Sequence, residues 1–567
     1  MNTKANILLI ILITIFTCSF CSCNSKEANT GQEVVANPDN MDQVVSSKIK
    51  ASLQIASTKN GKVNDSLQFQ FTEALNLFYS KQNYQPIWCS KEKWMPLADS
   101  IFNLMQQLPL EGLFPEDYQV NQIKQIQTAL KIDSTKKMDA SIWSRAELLL
   151  TDGFIHIIKD LKRGRLEPDS LTLIKDTLLS AAYYSNALNQ VLKTNNLTEF
   201  IRSLQPAHKG YWKLKNGIRS FLDSMDTRTY PFITYPYKKG NKTDSVAFIK
   251  SLQQRLYDNG TISFTEPMPD TAQLSMAIKN FQKKKGLKLD GKISTSLIKL
   301  MNSSDIEKFK RIAITLDKYK MLPEKMPERY IWVNLPGYYL WVIQADTIAL
   351  ESKIICGKPE TRTPLLHSLI TDMVTYPTWT VPTSIISKQY LPKLKTNANY
   401  LTKIGLKIVN GKGEEVDPTT INWSKYTRGI PFSVMQGSGD NNALGVLKFN
   451  FNNPYSVYLH DTNQRYLFKN AFRALSHGCV RVQEWEKLAF FIARNDSLHT
   501  PHLRYNTDSI RSWIAAKEKH RIDVQNSIPL FIQYFTCEGQ NGKIRFYDDI
   551  YGEDKIIRDK FFKEKHL

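Results

Sequence analysis

One short segment of the chain holds the residue types that covalent acyl chemistry requires. Such chemistry needs a thiol or hydroxyl nucleophile, a base within hydrogen-bond reach and donors for a developing oxyanion. The segment Ala474-Leu-Ser-His-Gly-Cys-Val-Arg481 supplies all three types. Cys479 follows Gly478, which allows a sharp backbone turn, and lies close to His477. A protonated histidine beside a thiol lowers the thiol pKa, so the pattern predicts a reactive Cys479 thiolate.

Two histidines compete for the role of base. His477 is two residues before Cys479, whereas His460 is 19 residues before it (479 − 460), near the end of a predicted strand. Spacing alone leaves both assignments open. A buried structural thiol is the alternative interpretation of Cys479, and the ordered set of histidines, glycine and cysteine disfavours it.

The remaining cysteines and histidines do not predict a second site. Cys89, Cys356 and Cys537 have no adjacent histidine and are predicted to be structural. His156 lies on an apolar helical face and is predicted to be a core or surface residue. The sequence contains no HExxH pattern and no CxxC pair in the body of the chain, so we predict no metal and no cofactor.

A β-rich domain is predicted to position the candidate residues. From residue 331 onward the apolar residues alternate with a period of two, which is typical of strands. The pattern continues through residues 348–355 and 373–381, and it returns at 447–451 and 456–459. The chain before this domain follows a helical pattern instead, so the predicted fold class is α+β with several domains.

Composition and charge narrow the class of protein. The chain length of 567 residues predicts three or four folded units. The composition is 42% hydrophobic and 23% charged. The longest apolar run, Ile7–Phe16, is shorter than the about 20 residues of a membrane-spanning helix, which excludes a multi-pass membrane protein. The net charge of +21 favours an anionic partner, although such surfaces also keep proteins soluble. Without a nucleic-acid-binding signature, we predict an envelope polymer and not a nucleic acid.

The N-terminus has the layout of a secretory signal. Lys4 precedes the apolar run and small residues follow it, so we expect export and removal of residues 1–22. Phe20-Cys21-Ser22-Cys23 resembles a bacterial lipoprotein cleavage box, which implies lipidation of Cys23, with Cys21 or an unlipidated cleavage as alternatives. Because residues 25–65 contain no aromatic residue, we predict a flexible tether. The expected location is the periplasm, with a lipid anchor in the outer membrane of a Gram-negative bacterium.

The histidine and cysteine pattern resembles that of the L,D-transpeptidase catalytic domain. His460 is followed, after a gap of 15 residues, by Ser476-His477-Gly478-Cys479. Further segments resemble the YcbB-like members of this family: Arg329–Pro336, Cys356–Pro359, Thr363-Pro364, Trp379–Pro382, Asn442–Gly445, Lys448-Phe449 and His460–Thr462. The resemblance implies a β-sandwich in which Cys479 is the nucleophile and His460 the general base, oriented by a backbone carbonyl.

The same resemblance implies roles for neighbouring residues. His477 and Gly478 would shape the turn and the oxyanion pocket, with the backbone amides of Gly478 and Cys479 as donors. Arg481 would either hold a substrate carboxylate or anchor its strand. The predicted substrate-binding residues are Arg481, Ser476, Trp379 and Asn442.

Regions upstream of the catalytic segment resemble other parts of the YcbB-like architecture. The segments Tyr84–Trp88, Glu111–Tyr118 and Leu161–Gly164 resemble its N-terminal scaffold. Residues 244–302 resemble the peptidoglycan-binding type 1 domain, a three-helix module, although Ser294 replaces a glycine that is usual there. The predicted organisation is a signal peptide (1–22), a tether (23–65), a helical scaffold (66–235), a peptidoglycan-binding domain (240–304), a helical connector (305–327), a catalytic domain (328–525) with a helical capping insertion (380–435), and a C-terminal extension (526–567).

The resemblance implies a cysteine acyltransferase that acts on peptidoglycan stem peptides and forms 3→3 cross-links through a Cys479 thioester. Resolution of the thioester by water or by a free amino acid is the alternative, which would give a carboxypeptidase or an exchange enzyme. A non-catalytic cell-wall anchoring protein is a third interpretation, which the intact His460 and Cys479 disfavour. The sequence does not predict the oligomeric state.

Overall fold

The computed structural model describes residues 32–169, 171–174, 178–228, 230–234, 245–284, 288–500 and 504–565. The predicted signal peptide and the predicted lipidation site at Cys23 lie outside the described residues. Within the described part of the chain, none of the helices is both long and apolar enough to cross a membrane.

Helices dominate the first 320 residues and recur near the C-terminus. Their bounds are α1 (Met41–Thr58), α2 (Thr72–Ser80), α3 (Pro96–Gln106), α4 (Val120–Ile132), α5 (Ala140–Arg163), α6 (Ala181–Thr194), α7 (Leu197–Ser203), α8 (Lys209–Asp223), α9 (Ser245–Asp258), α10 (Thr271–Lys284), α11 (Thr295–Met301), α12 (Asp305–Lys320), α13 (Thr383–Ile385), α14 (Leu391–Leu394), α15 (Tyr400–Lys403), α16 (Trp485–His499), α17 (Thr507–Ala515) and α18 (Glu553–Phe561).

Strands are short in the N-terminal region and form a large sheet after residue 328. Their bounds are β1 (Lys62–Asn64), β2 (Leu67–Gln68), β3 (Cys89–Ser90), β4 (Lys93–Trp94), β5 (Arg329–Asn334), β6 (Tyr339–Gln344), β7 (Thr347–Gly357), β8 (Leu366–Thr375), β9 (Trp379–Thr380), β10 (Lys407–Val409), β11 (Ser433–Gln436), β12 (Leu447–Phe451), β13 (Leu459–His460), β14 (Ala474–Ser476), β15 (Val480–Val482), β16 (Arg521–Asp523), β17 (Pro529–Gln533), β18 (Cys537–Gln540) and β19 (Lys543–Phe546).

The chain divides into two compact units. Of the described residues, one unit contains those of 32–99, 122–152 and 181–188, and the other contains those of 100–121, 153–180 and 189–565. The catalytic segment belongs to the second unit.

The prediction of a flexible tether to residue 65 is wrong for residues 41–58. These residues form α1, whose side chains Met41, Val45, Ile49 and Leu53 are buried. Their spacing of four residues places them on one face of the helix, which buries them against other residues of the first unit. The absence of aromatic residues was a poor guide here, because aliphatic side chains alone supply the stripe.

The main sheet joins ten of the fifteen strands β5 to β19. Its order is β12-β13-β15-β7-β6-β5-β17-β8-β16, and β14 adds to β7. Because β12 also pairs with β8, the path of hydrogen-bonded strands closes on itself. The hydrophobic core that these strands cover includes Val333, Leu340, Ile354, Phe449 and Leu459. The β-sandwich itself stays a prediction from the resemblance.

The predicted boundary of the catalytic domain at residue 525 is too early. Strand β17 lies between β5, with which it pairs in parallel, and β8. Its central residues Leu530, Phe531 and Ile532 are buried, as expected for a strand covered on both faces. The C-terminal segment therefore supplies one strand, β17, to the main sheet.

The insertion at residues 380–435 has its own small core but is only partly helical. Short helices α13 to α15 and a π-helical turn at Ile386–Tyr390 occupy its first half. Strands β10, β11 and β9 then form a separate three-stranded sheet. Leu391, Leu401, Ile408, Trp423 and Val434 pack together inside it. The prediction of a helical insertion is therefore wrong for its second half.

The three helices α9, α10 and α11 share one hydrophobic core. Phe248, Leu252, Ile278, Phe281 and Leu297 are among its buried members. Assignment of these helices to a peptidoglycan-binding domain stays a prediction. The predicted connector forms α12, which begins after its capping residue Ser304 and buries Phe309 and Ile312 in another core.

Candidate active site

Strand pairing brings the two halves of the catalytic pattern together. Strand β13 pairs in parallel with β15, so that His460 lies opposite Arg481. The backbone amide of Val480 donates to the carbonyl of Tyr458 at 3.1 Å, which places Cys479 beside Tyr458. Because side chains alternate along a strand, Tyr458 and His460 share one face with Cys479 and Arg481. The sheet thus gathers residues that are about 20 positions apart in sequence.

The turn before Cys479 is held by hydrogen bonds to Ser476 and Thr363. The buried Ser476 hydroxyl donates to the Cys479 carbonyl at 2.6 Å and accepts from the Gly478 amide at 3.2 Å. The hydroxyl of Thr363 donates to the Gly478 carbonyl at 2.8 Å. Gly478 has a φ of +128°, which explains why a glycine stands at this position.

These contacts change two of the predicted roles. Ser476 was predicted to bind substrate, but its buried hydroxyl is engaged with the loop and we assign it to loop support. The Gly478 amide was predicted to stabilise an oxyanion, and in this structure it is bonded to Ser476. The other predicted oxyanion donor is the backbone amide of Cys479, which shares a peptide group with the Gly478 carbonyl.

Cys479 is surrounded by groups that act on its ionisation in opposite directions. Burial raises the pKa of the Cys479 thiol. Hydrogen bonds from the backbone and hydroxyl of Tyr458 and the positive charges of Lys448 and Arg481 oppose this rise in pKa. The protonated thiol is therefore favoured at rest, while the surrounding cations favour the thiolate once it forms. Tyr458 and Lys448 were quoted in the sequence patterns but were not predicted to be site residues.

His460 is buried, with 4% of its surface exposed. Burial, reinforced by the charge of Arg481, lowers the pKa of His460 to about 3, so the imidazole is neutral at pH 7. Backbone groups of Asp461 and Leu444 lie within hydrogen-bond reach of the ring and oppose this fall in pKa. A thiolate stabilised by a protonated histidine, as the sequence pattern predicted, is not favoured here. The geometry instead offers a neutral thiol and a neutral acceptor.

His477 is exposed and faces the capping insertion. Its Nε2 atom is hydrogen-bonded to the side-chain amide of Gln389 in that insertion. Partial burial, with the charges of Lys358 and Arg481, lowers the pKa of His477. This hydrogen bond connects the turn of Cys479 to the insertion.

The remaining predicted substrate-binding residues differ in their hydrogen bonds. The Arg481 Nη1 atom donates to Gln464 at 3.0 Å, whereas its buried Nε has no partner among the described residues. The Trp379 side chain is hydrogen-bonded to the Tyr458 hydroxyl, which places it at the site. Asn442 is buried and its amide bonds only to backbone groups, so the structure assigns it to loop support.

The comparison with protein families identifies this part of the chain. Residues 328–499 match the family described as the L,D-transpeptidase catalytic domain. The chain contains an L,D-transpeptidase domain. Residues 73–217 match the family described as a scaffold domain, and the two together give the YcbB-like architecture.

Individual relatives are similar to parts of the chain. A curated protein of Haemophilus influenzae, named as a candidate L,D-transpeptidase, is 34% identical over 247 residues, which are 44% of this chain. The chain spans about half of that relative's length, 48%. An L,D-transpeptidase mutant of Enterococcus faecium is 13% identical, with a TM-score of 0.17 over 37% of this chain and 50% of its own. The Mycobacterium smegmatis L,D-transpeptidase is 11% identical, with a TM-score of 0.18 over 36% and 58%.

Among the described residues, no group of three or more His, Cys, Asp or Glu side chains is arranged to hold a metal ion.

Proposed function

We propose that this protein is a peptidoglycan L,D-transpeptidase that forms 3→3 cross-links through a thioester on Cys479. The observation that carries the proposal is the shared face of β13 and β15, where Tyr458 and His460 lie with Cys479 and Arg481 in a domain of this family. The acyl donor would be a tetrapeptide stem, and the acceptor would be the side-chain amine of a diamino acid in a neighbouring stem.

The first half-reaction forms the thioester. The Cys479 sulfur attacks the carbonyl carbon of the third stem residue while its proton passes to the neutral His460 ring. The positive charges of Lys448 and Arg481 stabilise the negative charge that develops, and the Cys479 amide is the proposed oxyanion donor. Collapse of the tetrahedral intermediate breaks the bond to the terminal D-alanine, whose amine takes the proton from His460.

The second half-reaction transfers the acyl group. The acceptor amine attacks the thioester carbonyl and gives a proton to His460. Collapse then breaks the carbon–sulfur bond, and the departing Cys479 thiolate recovers that proton. The peptide bond replaces the thioester, and the enzyme returns to its neutral resting state without a cofactor.

We also propose that the other parts of the chain bring this domain to the cell wall. The loop after α9 and one face of α10 line an open depression of about 670 Å³ that includes Ile262, Phe264 and Met276, and it would hold a segment of the polymer. The positive net charge supports an anionic polymer partner. Export, lipidation at Cys23 and a periplasmic location complete the proposal. Release of a Cys23→Ser variant from the membrane fraction would test the anchor.

Mass spectrometry of muropeptides tests the catalytic proposal. Purified protein is incubated with disaccharide-tetrapeptide, beside a Cys479→Ala variant as the control. Cross-linked dimers made only by the wild type support transpeptidation. Tripeptide monomers would mean that water resolves the thioester, and unchanged substrate with correctly folded wild type would contradict the proposed function.

A further inference from the structure

The turn that carries the nucleophile is supported from the C-terminal segment, beyond the residues that match the catalytic family. The Tyr551 hydroxyl donates to the Gly357 carbonyl at 2.7 Å and accepts from the Thr363 amide at 3.2 Å. The Cys356 thiol also lies within hydrogen-bond reach of this hydroxyl. Tyr551 thus joins both ends of the segment from Gly357 to Thr363.

Thr363 continues this contact to the catalytic turn. Its hydroxyl accepts from the Gly357 amide at 2.9 Å and donates to the Gly478 carbonyl at 2.8 Å. Thr363 is 1% exposed and Tyr551 is 4% exposed, so water does not readily replace either partner. A chain of hydrogen bonds therefore runs from Tyr551 through Thr363 to the residue before the nucleophile.

The orientation of the Gly478 carbonyl determines the orientation of the Cys479 backbone amide. The carbonyl of Gly478 and the amide of Cys479 belong to one planar, trans peptide group, so they point in opposite directions. A bond that fixes the carbonyl on Thr363 therefore also fixes the direction of the Cys479 amide. That amide is the donor proposed for the oxyanion, and glycine at residue 478 would otherwise allow its peptide plane to rotate.

Contacts with Tyr534 hold Tyr551 in place. Its backbone amide donates to the Tyr534 hydroxyl at 2.8 Å, and the two rings stack with centroids 5.6 Å apart. The Tyr534 hydroxyl donates in turn to Asp549 at 2.6 Å. Burial raises the pKa of Tyr551, so its hydroxyl stays protonated and can donate at neutral pH.

We propose that Tyr551 is a positioning residue for acyl transfer, which acts through Thr363 to aim the Cys479 amide at the oxyanion. The inference rests on the proposed function for its effect on rate. It gives the C-terminal segment a part in catalysis, although this segment lies outside the matched catalytic domain at residues 328–499.

The test compares Tyr551→Phe with Tyr505→Phe in the full chain. Tyr505 is a matched control because it is also buried in this domain and its hydroxyl donates to a carboxylate, that of Asp496. Loss of an oxyanion donor costs about 10²–10³ in rate, so we expect a misdirected donor to lower kcat by about 10-fold. The KM of Tyr551→Phe and its alkylation by iodoacetamide should stay near wild type.

Two further variants separate positioning from general stability. Thr363→Val should lower kcat as Tyr551→Phe does, whereas Thr363→Ser keeps the hydroxyl and should restore most of it. If the two residues act in one chain, the double variant Tyr551→Phe with Thr363→Val should be no slower than Thr363→Val alone. Additive losses, or a kcat for Tyr551→Phe equal to that of Tyr505→Phe, would overturn the inference.

Hydrogen exchange gives a measurement that does not depend on activity. We expect faster exchange at residues 476–479 in Tyr551→Phe than in Tyr505→Phe at equal global stability. If wild-type protein transfers no acyl group, the proposed function fails, and the inference is then judged by exchange alone. Equal exchange at this turn in both variants would overturn it.

Discussion

The ammonium group of Lys448 lies 3.9 Å from the centroid of the Tyr458 ring. Lys448 is also the register partner of His460 across β12 and β13. Burial lowers the pKa of this lysine, whereas the charge on Cys479 raises it. Among the described residues Lys448 has no ion-pair partner within 4 Å, so its charge is available to a developing thiolate or oxyanion.

Replacement of Lys448 by methionine should raise the pKa of the Cys479 thiol, because it removes a nearby positive charge while keeping the length of the side chain. The alkylation rate of Cys479 should fall by about 10-fold at pH 7, equivalent to about 1.4 kcal/mol, and recover at higher pH. Lys412→Met, in an exposed loop of the insertion, is the control. Identical pH profiles for both variants would contradict this role.

The two histidines should respond differently to substitution. Since His460 is buried on the same face as Cys479, His460→Gln should lower kcat by about 10²–10⁴, as expected for loss of a general base. His477 is exposed and contacts the insertion, so His477→Gln should have a much smaller effect on kcat. Steady-state kinetics with a tetrapeptide donor measures both. A folded His477→Gln without activity, beside an active His460→Gln, would reverse the assignment.

The pH dependence of acyl transfer should lack the acid limb of an ordinary histidine. A base with a pKa of about 6.5 loses activity as the pH falls below that value. His460, with a pKa lowered to about 3, stays neutral at pH 5. We therefore expect no decline in kcat/KM centred near pH 6.5, and a decline at high pH as the thiol ionises, because His460 then receives no proton to pass to the leaving amine. A bell-shaped profile with an acid limb near pH 6.5 would contradict this.

The same burial should affect stability with a defined sign. Below about pH 6.5 the unfolded chain protonates this histidine, whereas the folded chain does not do so until about pH 3. The free energy of unfolding should therefore decrease as the pH falls below 6.5. Denaturant unfolding of His460→Gln should show a smaller decrease than the wild type over pH 6.5 to 4.5. An equal or larger decrease would contradict the burial of a neutral imidazole.

Local patterns in the sequence point to the proposed catalytic pair, Cys479 and His460. The alternation of apolar residues indicated strands near His460, and the resemblance joined that histidine to Cys479. The contact between Tyr551 and Gly357 spans 194 positions and depends on where β17 enters the sheet. No periodicity within either segment signals it, because the pairing is decided by tertiary packing.

The composition-based prediction for residues 41–58 and the role that the resemblance implies for Asn442 also differ from what the structure shows. Residues 41–58 lack aromatic residues and were predicted to be a tether, yet one aliphatic stripe is enough to bury α1. The buried Asn442 was predicted to bind substrate, whereas its amide is engaged with the backbone of its own loop. A polar residue in a motif can either hold the backbone of a loop next to the site or line the site itself. The sequence alone does not distinguish these two roles.

The capping insertion carries a cluster of positively charged side chains. The insertion carries five lysines in residues 387–409, and two of them have local partners: Lys393 lies over the Tyr400 ring, and Lys407 pairs with Glu415 at 2.6 Å. Lys388, Lys395 and Lys403 are exposed. The contact between Gln389 and His477 shows that this insertion reaches the catalytic turn. The three exposed lysines are therefore the candidates for attracting anionic stem peptides.

A variant with Lys388, Lys395 and Lys403 changed to glutamine should raise the KM for stem peptide by about threefold to 10-fold at low salt. Because salt screens charges over about 8 Å at physiological ionic strength, the KM of the wild type should rise with salt and that of the variant should change less. Alkylation of Cys479 by neutral iodoacetamide should be unaffected. A matched triple variant at Lys555, Lys560 and Lys563, near the C-terminus, controls for net charge. Equal effects of both triple variants would mean that total charge, and not the insertion, attracts the substrate.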